Sequence, residues 1–157
     1  MTATIRFATD SDISVIVRFN QALARESEDL ALDEARLRDG VAQLLGDPHK
    51  GCYYLYEDGG RVLGQTMITR EWSDWRNGWF WWIQSVYVDP AARGQKTFSA
   101  LYRHILADAR QRDDVCGIRL YVDKHNEHAI QVYRRLGMAE AHYRMLEVDF
   151  RLARDAR

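Results

Sequence analysis

Proline and cysteine are both scarce, with two of each in 157 residues. So little proline excludes a proline-rich linker, and Pro48 and Pro90 mark single turns instead. Cys52 and Cys116 lie in separate apolar segments and are read as buried thiols, not as a disulfide framework or metal pair. His125 and His128 have i, i+3 spacing without a third ligand beside them, so no metal is expected. Also lacking is an apolar run of about 20 residues, the length that crosses a bilayer. The start, MTATIRFATD, has neither the charged nor the apolar part of a signal peptide. Neither sign of charge prevails: 22 basic residues face 23 acidic ones, for a net charge of −1. That balance removes the electrostatic basis for general nucleic-acid binding. The expectation is a cytosolic protein with no membrane or nucleic-acid partner. At this length one domain can bury its core unaided.

The chain is 46% hydrophobic and 29% charged, an ordinary globular balance. Thr4 to Ala8 reads as a strand. TDSDISVIVRFNQAL reads as a helix with Thr9 as its cap and Ile13, Ile16, Val17 and Asn20 on one face. DEARLRDGVAQLLG gives a second helix, ended by Gly46 and Pro48. CYYLYE and RVLGQTMIT flank DGG, a hairpin turn, and WFWWIQSVYV is a long aromatic strand. Phe98, Leu101, Tyr102, Ile105, Leu106 and Ala109 then form a helical stripe. GIRLYV is a strand with Ile118, Leu120 and Val122 on one face, and NEHAIQVYRRLG a helix capped by Asn126 and stopped by Gly137. HYRMLEVDF is expected to close the fold as a strand. The order β-α-α-β-β-β-α-β-α-β implies a mixed sheet covered by helices.

Chemistry concentrates in two places. VDPAARGQKTFSALY, residues 88–102, is a strand end, a polar turn and a helix start. Its turn offers helix N–H groups beside Arg93 and Lys96, which suits an anion such as a diphosphate. By itself such a turn is structural more often than not. The second place is N-x2-A-x3-Y-x3-G, formed by Asn126, Ala129, Tyr133 and Gly137. On a helix the first three share one side, and a phenol there can donate a proton to a departing thiolate. Amphipathic packing is the alternative for Tyr133.

Together, IRFATDSD, VYVDPAARGQKTFSALY and NEHAIQVYRRLGM resemble the GNAT superfamily of acyl-CoA-dependent N-acetyltransferases over nearly the whole chain. EWSDWRNG before WWIQSVYV is similar to one subgroup of it. The resemblance implies a single α/β (α+β) domain over residues 1–150, with a mixed central sheet, splayed central strands and helices on both faces. Residues 151–157 would be a solvated tail. It implies acetyl-CoA as co-substrate, lying in the gap between the splayed strands. Backbone groups of Val86 and Val88 would pair with the pantetheine amides. Arg93, Gly94, Gln95, Lys96, Thr97 and Phe98, with Ser99, would hold the pyrophosphate. Asn126 would assist pantetheine, and Tyr133 would protonate the leaving CoA thiolate. The superfamily turn is Q/R-x-x-G-x-G/A, and here Lys96 and Phe98 occupy the glycine positions. Lys96 need not block the site if its φ is negative and its side chain points to solvent, where it could add charge to the phosphate contact. Phe98 is expected to anchor the helix in the core.

An amine acceptor must be neutral to attack a thioester, which calls for a base. Some superfamily members carry a glutamate on the central strand, but Trp82 stands at that position. Gln84, Ser85 and Glu71 are the polar candidates nearby. Glu71, read as opening a loop EWSDWRNG, is the catalytic candidate among them. Trp72 and Trp75 of that loop could wall an acceptor site, while Trp79, Trp81 and Trp82 are read as packing. Glu26, Glu28 and Asp29, read as an acidic connector, could attract a cation or simply be solvated. The expected activity is direct acetyl transfer to a primary amine of a small molecule or peptide. The competing expectation is a catalytically degenerate module that binds acyl-CoA or another protein. A homodimer through the aromatic strands or the final hairpin is compatible with the sequence.

Overall fold

The computed structural model describes residues 3–151. The chain divides after Tyr121 into two compact units. The first holds β1 (Thr4–Phe7), α1 (Ile13–Glu28), α2 (Glu34–Leu45), β2 (Cys52–Asp58), β3 (Arg61–Ser73), β4 (Gly78–Val88), α3 (Thr97–Arg110) and β5 (Val115–Arg119). The second holds α4 (Glu127–Arg135).

In the first unit the strands lie in chain order, β1-β2-β3-β4-β5. β1 to β4 are antiparallel neighbours, and β5 runs parallel to β4 after the α3 crossover. Adjacent residues of β2 show that helices cover both faces, since neighbours in a strand point opposite ways. Tyr53 accepts a hydrogen bond from Asn20 of α1, whereas Tyr54 donates to Asp108 of α3. On the α1 side Ile16, Val17 and Val41 pack on Tyr53 and Leu55. On the α3 side Leu101 and Ile105 are fully buried, as is Ile68 of β3. The expected N-terminal cap is present: the Thr9 N–H bonds to Asp12 at 2.8 Å, and Arg6 clamps the same carboxylate. Arg6, before the other influences, holds Asp12 below the usual carboxylate range.

Three sequence expectations are corrected here. The acidic connector is shorter than expected, because α1 runs through Glu26 to Glu28 and Asp29 is its left-handed cap at φ 50°. Arg, Ala and Glu all favour the helix, which therefore continues past Asn20. Next, β3 reaches Ser73, so Glu71 and Trp72 are strand residues and not loop residues. Aromatic partners extend the pairing, with Trp72 facing Trp79 edge-on at a ring separation of 4.9 Å. Lastly, residues 142–150 form no strand, and Leu146 and Phe150 are 94% and 90% exposed. Alternation alone makes no strand without a ladder partner, and among the described residues of the second unit α4 is the only regular element. Of the expected tail, residues 152–157 lie outside the described residues.

Candidate active site

β4 changes character along its length. β3 pairs with it throughout, but β5 pairs only with Trp79 to Trp82. From Ile83 onward no β5 residue is opposite, because β5 ends at Arg119. Between Gln84 and Tyr87 the β3 register slips: Met67 faces Gln84 and Gln65 faces Tyr87, leaving Thr66 opposite both Ser85 and Val86. This β-bulge carries Ser85 at φ 49°. The Asp89 N–H bonds to Leu63 O, which by alternation points the backbone of Tyr87 toward β3. Val86 and Val88 therefore turn their backbone groups away from β3, to the open side. There the Val88 carbonyl accepts a bond from Arg93 Nε at 3.1 Å.

The turn after β4 runs through a single 3-10 turn, Pro90–Ala92, into α3. Gly94 has φ 76° and Lys96 φ 63°, so the negative φ that would keep a side chain at 96 clear of the site is absent. The backbone keeps a glycine conformation although a lysine occupies it, which costs about 1–2 kcal/mol. The Lys96 side chain is exposed. Phe98 is half-buried against Tyr102, and Thr97 takes the innermost place instead, donating from Oγ1 to Ala92 O. The small Thr97 fits because its methyl lies over Gly64, where a Cβ would stand 3.0 Å away. Gln95 bonds back to Ala91 O, and Ser99 sits half-buried in the first turn of α3. α3 leaves its first N–H groups without intrahelical acceptors, as every helix does. Arg93 does not reach over the turn. Its Nη2 meets Glu26 Oε2 at 2.6 Å, and Tyr87 donates to the same carboxylate at 2.9 Å. Arg93 first, then Tyr87, pulls the Glu26 carboxyl below its ordinary range.

Glu71 stands elsewhere on the α1 face, opposite Phe80 of β4. Trp82 Nε1 donates to its Oε2 at 2.6 Å, and Arg119 Nη1 lies 3.3 Å from its Oε1. The Arg119 guanidinium rests over the Phe80 ring, 3.6 Å from its centroid. That ring in turn covers Gly117, where a Cβ would meet it at 2.6 Å. Thr69, Gln84 and Tyr121 continue the row, with Gln84 bonding to Thr69 and Tyr121 reaching Gln84 at 3.5 Å. Arg119 and Tyr121 were not picked out from the sequence. The signal existed: placing Ile118, Leu120 and Val122 on one face of GIRLYV puts these two on the other. Trp75, at the β3–β4 turn, is 85% exposed.

The second unit places Asn126 and Tyr133 on α4. Asn126 Oδ1 caps the helix by accepting the Ala129 N–H at 3.1 Å. Gly137 ends it at φ 92°, with Met138 N–H bonded to Tyr133 O, the expected glycine stop. Burial raises the Tyr133 phenol, which keeps it protonated at neutral pH. Among the described residues no group of His, Cys, Asp and Glu could hold a metal ion, and no helix is long and apolar enough to cross a membrane.

The acetyltransferase (GNAT) family model matches residues 17–138. The chain belongs to this family. It has the GNAT fold, with a mixed sheet and helices on both faces, and it is an acyltransferase. A possible acetyltransferase from Clostridium difficile 630 is 41% identical, with 97% of this chain and 100% of that one covered at a TM-score of 0.90. Two more distant structures share the fold. A GCN5-related N-acetyltransferase from Ralstonia eutropha JMP134 is 20% identical, covering 94% of this chain and 99% of its own at a TM-score of 0.74. A predicted acetyltransferase from Clostridium acetobutylicum, solved with acetyl-CoA, is 17% identical, covering 94% and 96% at a TM-score of 0.75. No curated protein matches the chain.

Proposed function

We propose that this GNAT protein transfers an acetyl group from acetyl-CoA to a primary amine of a small molecule or peptide by direct attack. The observation that carries the reading is the open side of β4: backbone groups of Val86 and Val88 face no strand, next to a turn that ends in a helix N-terminus. Such an edge pairs readily with the amides of an extended ligand. Helix N–H groups of Thr97, Phe98 and Ser99, with the Gly94–Lys96 turn, suit a pyrophosphate. Arg93 contributes positive charge there once shared with Glu26. Asn126 retains its amide N–H groups for pantetheine while its oxygen caps α4.

The thioester supplies an activated acyl group. The amine nitrogen attacks its carbonyl carbon, the C–S bond breaks, and Tyr133 protonates the sulfur. The nitrogen gives up a proton, for which Glu71 is the acceptor and the anion that draws a cationic substrate. Trp82 and Arg119 hold that carboxylate in place. The exposed Trp72 and Trp75 would wall the acceptor's approach. Because the family match runs across the division after Tyr121, residues 1–150 are taken to act as one catalytic domain. Cys52 and Cys116 are free thiols, which suits a cytosolic setting.

Titration calorimetry with acetyl-CoA, followed by thiol release against an amine panel, tests the reading. Tyr133→Phe is expected to lower turnover about 10²-fold with acetyl-CoA binding nearly unchanged. An unaltered rate removes Tyr133 from the chemistry. A second reading, a binding module without catalysis, is favoured by the non-glycine Lys96 and by Trp82 in place of a strand carboxylate. Binding with no thiol release for any amine would select it.

A further inference from the structure

The acyl-transfer reading needs Val86 to turn its N–H to the open side of β4, and that turn exists only because of the bulge. In an unbroken ladder Val86 would pair with Gln65 and direct its backbone at β3. The extra residue passes that place to Tyr87. The bulge depends on Ser85 at φ 49°, a region that serine occupies only when its surroundings impose it.

Those surroundings form a buried polar network inside the first unit. Gln65, wholly buried, donates from Nε2 to Ser85 O at 3.1 Å and to Asn20 Oδ1 at 2.9 Å. Asn20 donates from Nδ2 to the Tyr53 hydroxyl at 3.0 Å. The network thus reaches Ser85 through its carbonyl, held by Gln65. Gln65 spends its amide N–H groups on these bonds and leaves Oε1 without a partner, and Thr66 Oγ1, opposite the bulge, also has none. An orphaned buried oxygen such as Gln65 Oε1 is destabilising, and an apolar residue at 65 would fill the layer without it. The network therefore carries a cost in stability. Its specific product is one backbone conformation at Ser85.

We propose that Asn20, Tyr53 and Gln65 are positioning residues for acyl transfer: they lock the Ser85 bulge and so present the Val86 N–H to the thioester carbonyl. The inference rests on the acyl-CoA reading above. An N–H aimed at developing negative charge acts in the transition state, so its misplacement lowers kcat more than it raises KM.

The test uses the full chain with Gln65→Met, which removes both donated bonds at similar length, and Tyr53→Phe, which removes one hydroxyl. Carbon and amide chemical shifts report whether Ser85 stays left-handed. Thiol release from acetyl-CoA reports turnover. In Gln65→Met, Ser85 should leave the left-handed region and kcat should fall by about 10²-fold, with KM for acetyl-CoA nearly unchanged. Tyr53→Phe should shift both readouts in the same direction by less, and it carries the test should Gln65→Met not fold. Adding Ser85→Gly to either variant should restore turnover, because glycine takes positive φ without help. A variant that folds with Ser85 left-handed and kcat intact overturns the inference, as does a folded double variant without rescue. If the unmodified chain releases no thiol, the acyl-CoA reading fails instead, and the shifts of Ser85 still decide whether the polar network holds the bulge.

Discussion

The two halves of β4 make an instructive contrast. Trp79 to Trp82 is bordered by β3 on one side and β5 on the other, with Phe80 and Trp81 buried. Ile83 to Val88 is bordered on one side only, interrupted by a bulge, and lined by half-buried side chains except Ile83 and Tyr87. The first half has spent its backbone on the sheet and its side chains on the core. The second keeps backbone groups available for something else. One strand thus serves stability at one end and ligand contact at the other, and the division is set by where β5 stops.

The contrast breaks most visibly at Trp81. It is 3% exposed, so Trp81→Ala should cost about 3–5 kcal/mol in denaturant unfolding, while Ser85→Gly in the open half should leave stability nearly unchanged. Equal losses would erase the distinction. Glu71→Gln sharpens it from the chemical side: turnover of a cationic amine should fall about tenfold or more, with the melting temperature unmoved, because the carboxylate is a surface group.

A pH series gives a smaller effect, remote from β4. Arg6 depresses the Asp12 carboxyl, so its folded pKa lies below the unfolded value of about 3.9. That stabilisation is complete above the unfolded value and is lost as pH falls through the folded one. Asp12→Asn should flatten this acid limb of the stability curve, read by unfolding between neutral and acidic pH. The smallest change is expected for Lys96→Gly. Relief of the left-handed lysine, less the entropy glycine costs, should raise stability by at most about 1 kcal/mol, and a thermal melt would show it.

What could be read before folding follows the same line. The helical face carrying Ile16, Val17 and Asn20 was legible, as were the long aromatic strand and the Thr9 and Asn126 caps, because each is a local pattern. The open side of β4 was reachable only through family resemblance, since a missing neighbour leaves no mark on a strand's own residues. The reach of β3 to Ser73 depended on partners some residues away in sequence, Trp79 and Phe80. The positive φ of Lys96 has no sign in its side-chain type, because the turn geometry imposes it. The segment 142–150 has the composition of a strand, and composition cannot supply a partner. The pairing of Arg93 with Glu26, distant in sequence, likewise leaves no local mark.

The bare Gly117 has an effect beyond its own strand. Because nothing projects from it, the Phe80 ring settles flat onto β5, Arg119 lies on that ring, and Glu71 is met by Arg119. A single methyl group added at 117 would lift the ring, unseat the guanidinium, and leave the carboxylate to Trp82 alone. The placement of a charge on the sheet surface is thereby governed by a hydrogen atom two layers beneath it.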